Sequence, residues 1–262
     1  MPRAMTGVDS TGRPQPFDFH ARLIPGPDEP GRLLAAMDRA GIGRAAVCAG
    51  GLLPLDRLAE QLNDGGRTET EADNEGVRAA CERSGGRLLP FYFADPVRDV
   101  DAYGKNAVDF RGLEISPAVH GIRLDDTGVI ELVDIAASAG HPVYVVTVAQ
   151  PGARAIDLVR LAARFPDVTF VWGHCGHTGL DVAGLRTLAG RPNVLAELSG
   201  CLTVTARLAV ARLGASRVLF GTEYPLQQPE VELCKVAALD LVPEDRSAVL
   251  GANARRVLGE EP

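Results

Sequence analysis

The chain has 262 residues, 46% of them hydrophobic and 23% charged, and its formal net charge is −7. This length suits one α/β barrel as a single domain. The only lysines are Lys105 and Lys235 and the arginines are scattered, so no basic stripe is available for a phosphate backbone. No apolar run approaches the roughly 20 residues of a membrane span. We therefore expect neither nucleic acid nor a membrane as a partner.

Residues 1–16 are rich in proline, glycine, serine and threonine and lack the apolar core of a signal peptide. We expect them to form a flexible lead-in to one domain over residues 17–262 of a cytoplasmic protein. The five cysteines are an odd number without C-x-x-C spacing, which argues against a disulfide framework and against a structural zinc knuckle. We expect reduced thiols.

Eight short runs rich in Val, Leu and Phe predict eight strands. In chain order they are FDFHARLIP at 17–25, RAAVCAG at 44–50, RLLPFYFADP at 87–96, GLEIS at 112–116, PVYVVTV at 142–148, VTFVWGH at 168–174, NVLAELS at 193–199 and SRVLFGTEY at 216–224. Apolar residues at helical spacing predict helices at 31–40, 74–84, 128–139, 154–164, 180–189, 203–212 and 244–258. This alternation predicts parallel strands with crossover helices, and eight units predict a single (β/α)8 TIM barrel. Residues 51–73 mix a short helix with a polar loop, which we expect over the barrel mouth.

Polar residues stand at the C-terminal ends of the predicted strands, where such barrels carry their chemistry. They are His20 and Arg22 on strand 1, Glu114 on strand 4, His174 and His177 at the end of strand 6, Glu197 and Ser199 on strand 7, and Glu223 on strand 8. A histidine in such a place can act as a general acid or base near neutral pH. For Glu114 and Glu197 we favour a structural role, as partners of buried arginines or as polar lining.

Five segments carry a family pattern in the same order along the chain. DFHAR stands for a D-x-H-x-H motif, RVLFGTEYP for a G-S-D-x-P signature and LGANARRVLG for a closing helix, while GLEISPAVHGIRLDD and FPDVTFVWGHCG match the segments of strands 4 and 6. From Phe17 to about Leu258 the chain thus resembles the amidohydrolase superfamily. The similar branch contains the metal-dependent hydrolases and decarboxylases related to aminocarboxymuconate-semialdehyde decarboxylase.

The resemblance implies a metal held by two strand-1 histidines, a strand-5 histidine and a strand-8 aspartate, with the strand-6 histidine assisting catalysis. This chain keeps His20 but has Arg22, Val146 and Glu223 at the other three positions. Because catalytic zinc takes about three protein ligands and a guanidinium stays charged, we expect no cofactor. Glutamate is one methylene longer than aspartate, so we expect Glu223 to pair with Arg22 where strands 8 and 1 meet.

The preferred hypothesis is a metal-independent enzyme that acts on a small carboxylate-bearing or cyclic substrate by hydrolysis or decarboxylation. Its predicted catalytic residues are His174, His20 and Glu223. The predicted substrate contacts are Arg22, His177, Thr147, Ser199 and Tyr224. We expect a small-molecule substrate as the partner. The sequence allows a homo-oligomer but does not give the oligomeric state.

Two alternatives remain at this point. The first is a non-catalytic homologue that binds a small molecule or supports a partner protein, since two ligand histidines are missing. The second is a mononuclear zinc hydrolase with relocated ligands, namely His20, His174 and Glu223. The sequence does not choose among hydrolysis, decarboxylation and cyclisation.

Overall fold

The computed structural model describes residues 14–26 and 28–260, in which eight parallel strands alternate with helices. The strands are β1 (Phe17–Leu23), β2 (Arg44–Ala49), β3 (Leu88–Ala94), β4 (Gly112–Ile115), β5 (Val143–Val145), β6 (Phe170–Trp172), β7 (Val194–Glu197) and β8 (Val218–Leu219). They form one sheet in the order β1 to β8, each pairing in parallel with the next. The predicted TIM barrel is confirmed.

Backbone hydrogen bonds also join the last strand to the first. Phe19 N donates to Phe220 O over 2.9 Å, and Arg22 N donates to Tyr224 O over 2.8 Å. Glu223 N in turn donates to His20 O over 2.8 Å. The segment that follows β8 therefore lies against β1, and the residues at both strand ends face one barrel mouth.

The strands are apolar along almost their whole length because both of their faces are covered. β2 and β3 carry the runs RAAVCA and LLPFYFA, in which nearly every residue is buried. Large side chains such as Phe17, Phe91 and Trp172 are fully buried inside this framework. Buried polar groups are the exception, and most of them lie at the strand ends described below.

The helices cover the outside of the sheet and the loops at the mouth. They are α1 (Glu29–Ala40), α2 (Leu55–Asp64), α3 (Asn74–Arg83), α4 (Val100–Asn106), α5 (Pro117–His120), α6 (Thr127–Ala139), α7 (Ala155–Arg164), α8 (Val182–Ala189), α9 (Thr203–Leu213), α10 (Pro229–Ala237), α11 (Pro243–Ser247) and α12 (Asn253–Val257), with a π-helical turn (Ala248–Ala252) between the last two. The predicted helix over 244–258 is thus three joined segments. The pattern missed α4, α5 and α10, which have nine residues or fewer and so offer few turns of apolar repeat.

Helix α2 and the polar loop after it form the segment expected over the mouth. Gln61 of α2 donates from Nε2 to Ala118 O over 3.1 Å, beside the end of β4. Gln150, which follows β5, donates from Nε2 to Asn63 O over 3.2 Å. The segment is therefore attached to the loops that follow both strands.

Three parts of the predicted domain division lie outside the described residues, namely residues 1–13 of the lead-in and residues 27 and 261–262 of the domain. Within the described ranges, no helix is both long enough and apolar enough to cross a membrane.

Candidate active site at the barrel mouth

Arg22, at the end of β1, lies between two buried glutamates. Its Nε donates to Glu223 Oε1 over 2.7 Å, and its Nη2 donates to Glu114 Oε1 over 2.8 Å. Nη1 donates to Ala49 O over 3.2 Å. The predicted contact between Arg22 and Glu223 is confirmed, and Glu114 is the partner of a buried arginine, as the sequence indicated.

His20 is buried beside the same glutamates. Its Nε2 lies 3.1 Å from Glu114 Oε2, and its ring stacks on Tyr144 with 4.0 Å between the ring centres. Its Nδ1 lies in ion-pair contact with Glu223 Oε2, outside strict hydrogen-bonding geometry. His20 thus contacts both glutamates, one through each ring nitrogen.

The charges in this group are strongly coupled. Burial opposes the charged form of Glu114, but Arg22 and His20 lower the pKa of this carboxyl to about 2. Burial also opposes the charged form of Glu223. The charges of Arg22, His20 and His174 nevertheless hold the pKa of this carboxyl well below its ordinary value. In His20 the glutamates outweigh burial and raise the pKa well above 6.5. Both carboxylates are ionised at neutral pH, and they favour the positive charges of His20 and Arg22 between them.

His174 follows β6 and is held from behind by β7. Its Nδ1 lies 2.9 Å from Ser199 Oγ, and Ser199 Oγ donates to Glu197 Oε2 over 2.8 Å. Tyr144 also donates its hydroxyl proton to Glu197 Oε2, over 2.7 Å. On its other side, His174 presents Nε2 at 3.7 Å from Glu223 Oε2. The structure therefore brings together His174, Ser199 and Glu223 with the β1 residues.

Two glycines make room for these buried polar groups. A Cβ on Gly221 would lie 2.9 Å from the carboxyl carbon of Glu197 and 3.3 Å from His20 N. A Cβ on Gly173 would lie 2.5 Å from the hydroxyl oxygen of Tyr144. Neither position accepts a side chain without moving part of the network.

The backbone is strained where the site is built. Five non-glycine residues have positive φ in the described residues, and His174 (φ 59°), Cys175 (φ 48°), Thr178 (φ 58°) and Glu223 (φ 54°) all follow β6 or β8 at the mouth. Such conformations cost roughly 1–2 kcal/mol per residue and cluster at functional sites. The fold holds His174 and Glu223 in place at an energetic cost.

Three further residues predicted to contact the substrate lie apart from this cluster. Thr147 Oγ1 accepts from Trp172 Nε1 over 2.7 Å, Tyr224 is 8% exposed, and His177 stands in a short 3-10 turn. No side-chain hydrogen bond or ion pair joins them to His20, Arg22 or His174 in the ranges that the structure covers. Their roles remain predictions.

Cys48 and Tyr144 belong to the site but were not among the predicted site residues. Cys48 Sγ lies 2.5 Å from Glu114 Oε2 and 3.5 Å from His20 Nε2, and burial raises the pKa of this thiol to about 11. Burial, followed by the charge of Glu197, raises the pKa of Tyr144 well above 10. Both residues lie on predicted strands, and strand alternation was the one signal that could have directed them inward.

Donor atoms converge in two groups that can hold a metal ion. One group is His20, His174 and Glu223, and the other is His20, Cys48 and Glu114. The donor atoms within each group lie within 4.8 Å of one another. Imidazole and carboxylate together suit zinc, manganese or iron.

A cavity of about 460 Å³ lies at the opposite end of the barrel, where β4 and β5 begin. Its lining includes His141, whose Nδ1 bonds to the Tyr103 hydroxyl over 2.7 Å. The acidic and imidazole groups gather at the mouth instead, so we place the candidate site there.

The Amidohydrolase family matches the chain over residues 17–259, and the chain belongs to this family. An uncharacterized TIM-barrel protein from Bordetella bronchiseptica has a similar structure, with 18% identity and a TM-score of 0.73 over 93% of this chain and 98% of that one. No match was found among curated proteins.

Solved decarboxylases also share the fold. The 2,6-dihydroxybenzoate decarboxylase from Rhizobium is 16% identical, with a TM-score of 0.69 over 94% of this chain and 98% of that one. A 5-carboxyvanillate decarboxylase from Novosphingobium aromaticivorans was crystallised with manganese and 4-hydroxy-3-methoxy-5-nitrobenzoic acid. It is 16% identical, with a TM-score of 0.68 over 94% and 96% of the two chains.

The prediction that this site needs no cofactor is wrong. Decarboxylases of the same fold hold manganese, and metal-ligating atoms converge here in two groups, one of them His20, Cys48 and Glu114. The prediction counted ligands at the family's positions and kept the group of His20, His174 and Glu223 only as an alternative. It also treated Arg22 as an isolated positive charge that repels a metal ion, whereas Glu114 and Glu223 both compensate this guanidinium.

Proposed function

We propose that this protein is a metal-dependent decarboxylase that removes a carboxyl group from a small aromatic or cyclic carboxylate. The observation that carries the metal is the convergence of His20, His174 and Glu223, whose ligand atoms lie within 4.8 Å of one another. The reaction class is proposed from the decarboxylases that share the fold.

The support of each ligand favours His20, His174 and Glu223 as the metal-binding group. His20 uses its other nitrogen on Glu114, Glu223 its other oxygen on Arg22, and His174 its other nitrogen on Ser199. Metal-ligating histidines and carboxylates are oriented in this way by hydrogen bonds to their outer atoms. The remaining nitrogens, His20 Nδ1 and His174 Nε2, both face Glu223 Oε2.

The charge balance supports the same conclusion. Glu114, Glu197 and Glu223 are buried at the mouth, and within residues 14–26 and 28–260 their ion-pair partners are Arg22 and the imidazoles of His20 and His174. A divalent cation would take the place of imidazole protons opposite these carboxylates.

The second group, His20, Cys48 and Glu114, is less suited to a cation. Arg22 Nη1 already donates toward Glu114 Oε2 over 3.4 Å and toward Cys48 Sγ over 3.5 Å. We therefore assign the metal to the first group.

When bound, the metal would supply a Lewis acid that polarises the substrate's carboxylate or a neighbouring oxygen. The residues of the chain position it and shape the site. Tyr144 stacks on the His20 ring and fixes its plane, while Arg22 holds Glu223 through Oε1. His174, whose side chain is 19% exposed, is the most accessible of the three ligands and borders the space where a substrate would enter.

Manganese binding and carbon dioxide release test this proposal together. Metal-free protein titrated with Mn²⁺ should bind about one equivalent, and His20→Ala, His174→Ala and Glu223→Gln should each weaken binding at least about a hundredfold, or about 2.7 kcal/mol. His141→Gln is the matched control, because it removes an imidazole from the other end of the barrel.

The Mn²⁺ form should then release carbon dioxide from hydroxylated aromatic carboxylates. Bound metal with ring opening or amide cleavage instead of carbon dioxide release would replace decarboxylation by hydrolysis. The absence of both metal binding and turnover would support the non-catalytic alternative.

A further inference from the structure

A chain of hydrogen bonds runs behind His174, on the side away from Glu223. Ser199 Oγ is 2.9 Å from His174 Nδ1 and 2.8 Å from Glu197 Oε2. Ser199 N donates to Glu197 Oε1 over 2.5 Å, and His174 N donates to Glu197 Oε2 over 3.2 Å. The same carboxylate therefore orders the backbone and the side chain around His174.

The direction of these bonds follows from the number of protons available. The Ser199 hydroxyl has one proton and two acceptors within reach, Glu197 Oε2 and His174 Nδ1. A hydrogen bond to a carboxylate is roughly twice as strong as one between neutral groups, so the proton goes to Glu197. Ser199 Oγ then accepts a bond, and His174 Nδ1 must carry the proton that makes it.

We propose that Glu197, acting through Ser199, is a positioning residue that fixes the tautomer of His174. In this tautomer Nδ1 is protonated and Nε2 keeps its lone pair. Nε2 lies 3.4 Å from the Tyr144 hydroxyl and 3.7 Å from Glu223 Oε2, and both contacts are longer than the 2.9 Å between Nδ1 and Ser199 Oγ that takes the imidazole proton. A histidine can ligate a metal or accept a proton only through such a lone pair. The consequence for metal binding rests on the proposed function, whereas the tautomer itself does not.

Burial separates this role from substrate binding. Glu197 and Ser199 are both 0% exposed, so neither side chain reaches a molecule in the mouth. Tyr144, also 0% exposed, donates to Glu197 Oε2 and leaves this oxygen an acceptor for both hydroxyls. The hydrogen bonds among these three side chains are shielded from water and correspondingly strong.

Nitrogen NMR of the imidazole tests the tautomer directly in metal-free protein, at a pH where His174 is neutral. The wild-type spectrum should show a pyrrole-type Nδ1 and a pyridine-type Nε2 for His174, assigned with His174→Gln. In Glu197→Gln the new amide can donate to Ser199 Oγ, which turns the hydroxyl proton toward Nδ1 and should shift His174 to the Nε2-protonated form. Ser199→Ala should lose the preference for one tautomer.

The control is Ser138→Ala, since the Ser138 hydroxyl is exposed and donates to Asp134 O on α6. This change should leave the His174 signals where they are. An Nε2-protonated His174 in the wild type would overturn the proposal. The Nδ1-protonated form persisting in Ser199→Ala would overturn it as well. The wild-type spectrum decides the first point even if a variant fails to fold.

Metal affinity provides the second measurement. If the proposed metal site is correct, Ser199→Ala should weaken Mn²⁺ binding roughly 10- to 100-fold, the usual effect of removing a hydrogen-bond partner of a ligand. A correct tautomer in a protein that binds no Mn²⁺ would leave the positioning role intact and refute only the metal site. An unchanged Mn²⁺ affinity together with a changed tautomer would remove His174 from the metal ligands.

Discussion

Arg22 and Glu223 join the first and last strands of the barrel at its mouth, with 2.7 Å between Nε and Oε1. Their side chains are 14% and 10% exposed, and Glu114, which binds the other end of the guanidinium, is fully buried. One arginine thus compensates two buried carboxylates. Removing one partner from such a group leaves a charge buried without compensation, which costs far more than the intact pair contributes.

Arg22→Met should therefore destabilise the metal-free protein by roughly 3–5 kcal/mol. The expected cause is repulsion between Glu114 and Glu223 and their loss of donors. Urea denaturation of metal-free wild type and variant measures the difference. Arg32→Gln is the control, because its pair with Glu29 is exposed, and it should cost less than about 1 kcal/mol. Equal effects of the two changes would contradict the structural importance of Arg22.

Gly221→Ala should disrupt the network behind His174. The added Cβ would meet Glu197 and the backbone of His20, both of which are buried. We expect a loss of stability of about 1–3 kcal/mol from overpacking, with a change in the His174 imidazole signals. Thermal denaturation and NMR measure the two effects.

Gly190→Ala is the matched control for this change. Gly190 has φ −79°, and a Cβ there meets nothing within 4 Å. It should be neutral or stabilising by up to about 1 kcal/mol. A Gly221→Ala variant as stable as Gly190→Ala would mean that Glu197 is not held as described.

The strand order and the Arg22–Glu223 contact were predictable from the sequence, because apolar runs mark strands and a closed barrel makes the first and last strands neighbours. The network behind His174 was not. Strand alternation could direct Tyr144 of the three-residue β5 inward, but the sequence does not show that its hydroxyl donates to Glu197. Glu197 was expected to be the partner of a buried arginine or part of the polar lining, and its side-chain partners are hydroxyls and backbone amides.

The cofactor was mispredicted for a geometric reason. The family pattern places one ligand on strand 5, where this chain has Val146, so the sequence left His20, His174 and Glu223 as an alternative zinc site without showing that they converge. In three dimensions His174 from β6 and Glu223 from β8 reach the His20 ring from other directions. Which strand ends converge depends on side-chain reach and on backbone conformations such as φ 59° at His174. A motif does not encode either property.

His120 should make stability depend on pH. It is buried beside Phe93, and burial lowers its pKa from 6.5 to about 4, although Asp95 and Glu114 pull the pKa up against Arg67 and Arg98. Below pH 6.5 the unfolded chain binds a proton that the folded protein does not bind until about pH 4. Its contribution to the free energy of unfolding therefore falls as the pH falls through this window, by at most about 3 kcal/mol.

Denaturation of wild type and His120→Phe at several pH values measures this contribution. Phenylalanine keeps a ring against Phe93 but cannot titrate. The difference in stability, variant minus wild type, should rise as the pH is lowered from about 7 to about 4. A difference independent of pH would show that His120 takes up its proton in the folded protein as readily as in the unfolded chain.

Cobalt substitution should decide between the two ligand groups, because His20 belongs to both while Cys48 and His174 each belong to one. A thiolate bound to Co²⁺ gives an intense charge-transfer absorption in the near ultraviolet, and imidazole with carboxylate does not. With the metal on His20, His174 and Glu223, the Co²⁺ protein should lack this band. Cys48→Ser, which keeps a hydroxyl donor for Glu114, should change Co²⁺ affinity less than about threefold, or about 0.7 kcal/mol. His174→Ala should lower the affinity at least about a hundredfold.

A charge-transfer band that disappears in Cys48→Ser would instead locate the ion beside Glu114. The Cys48 thiol would then have to lose its proton and the Arg22 guanidinium would have to move away from Glu114 Oε2, where its Nη1 now lies at 3.4 Å.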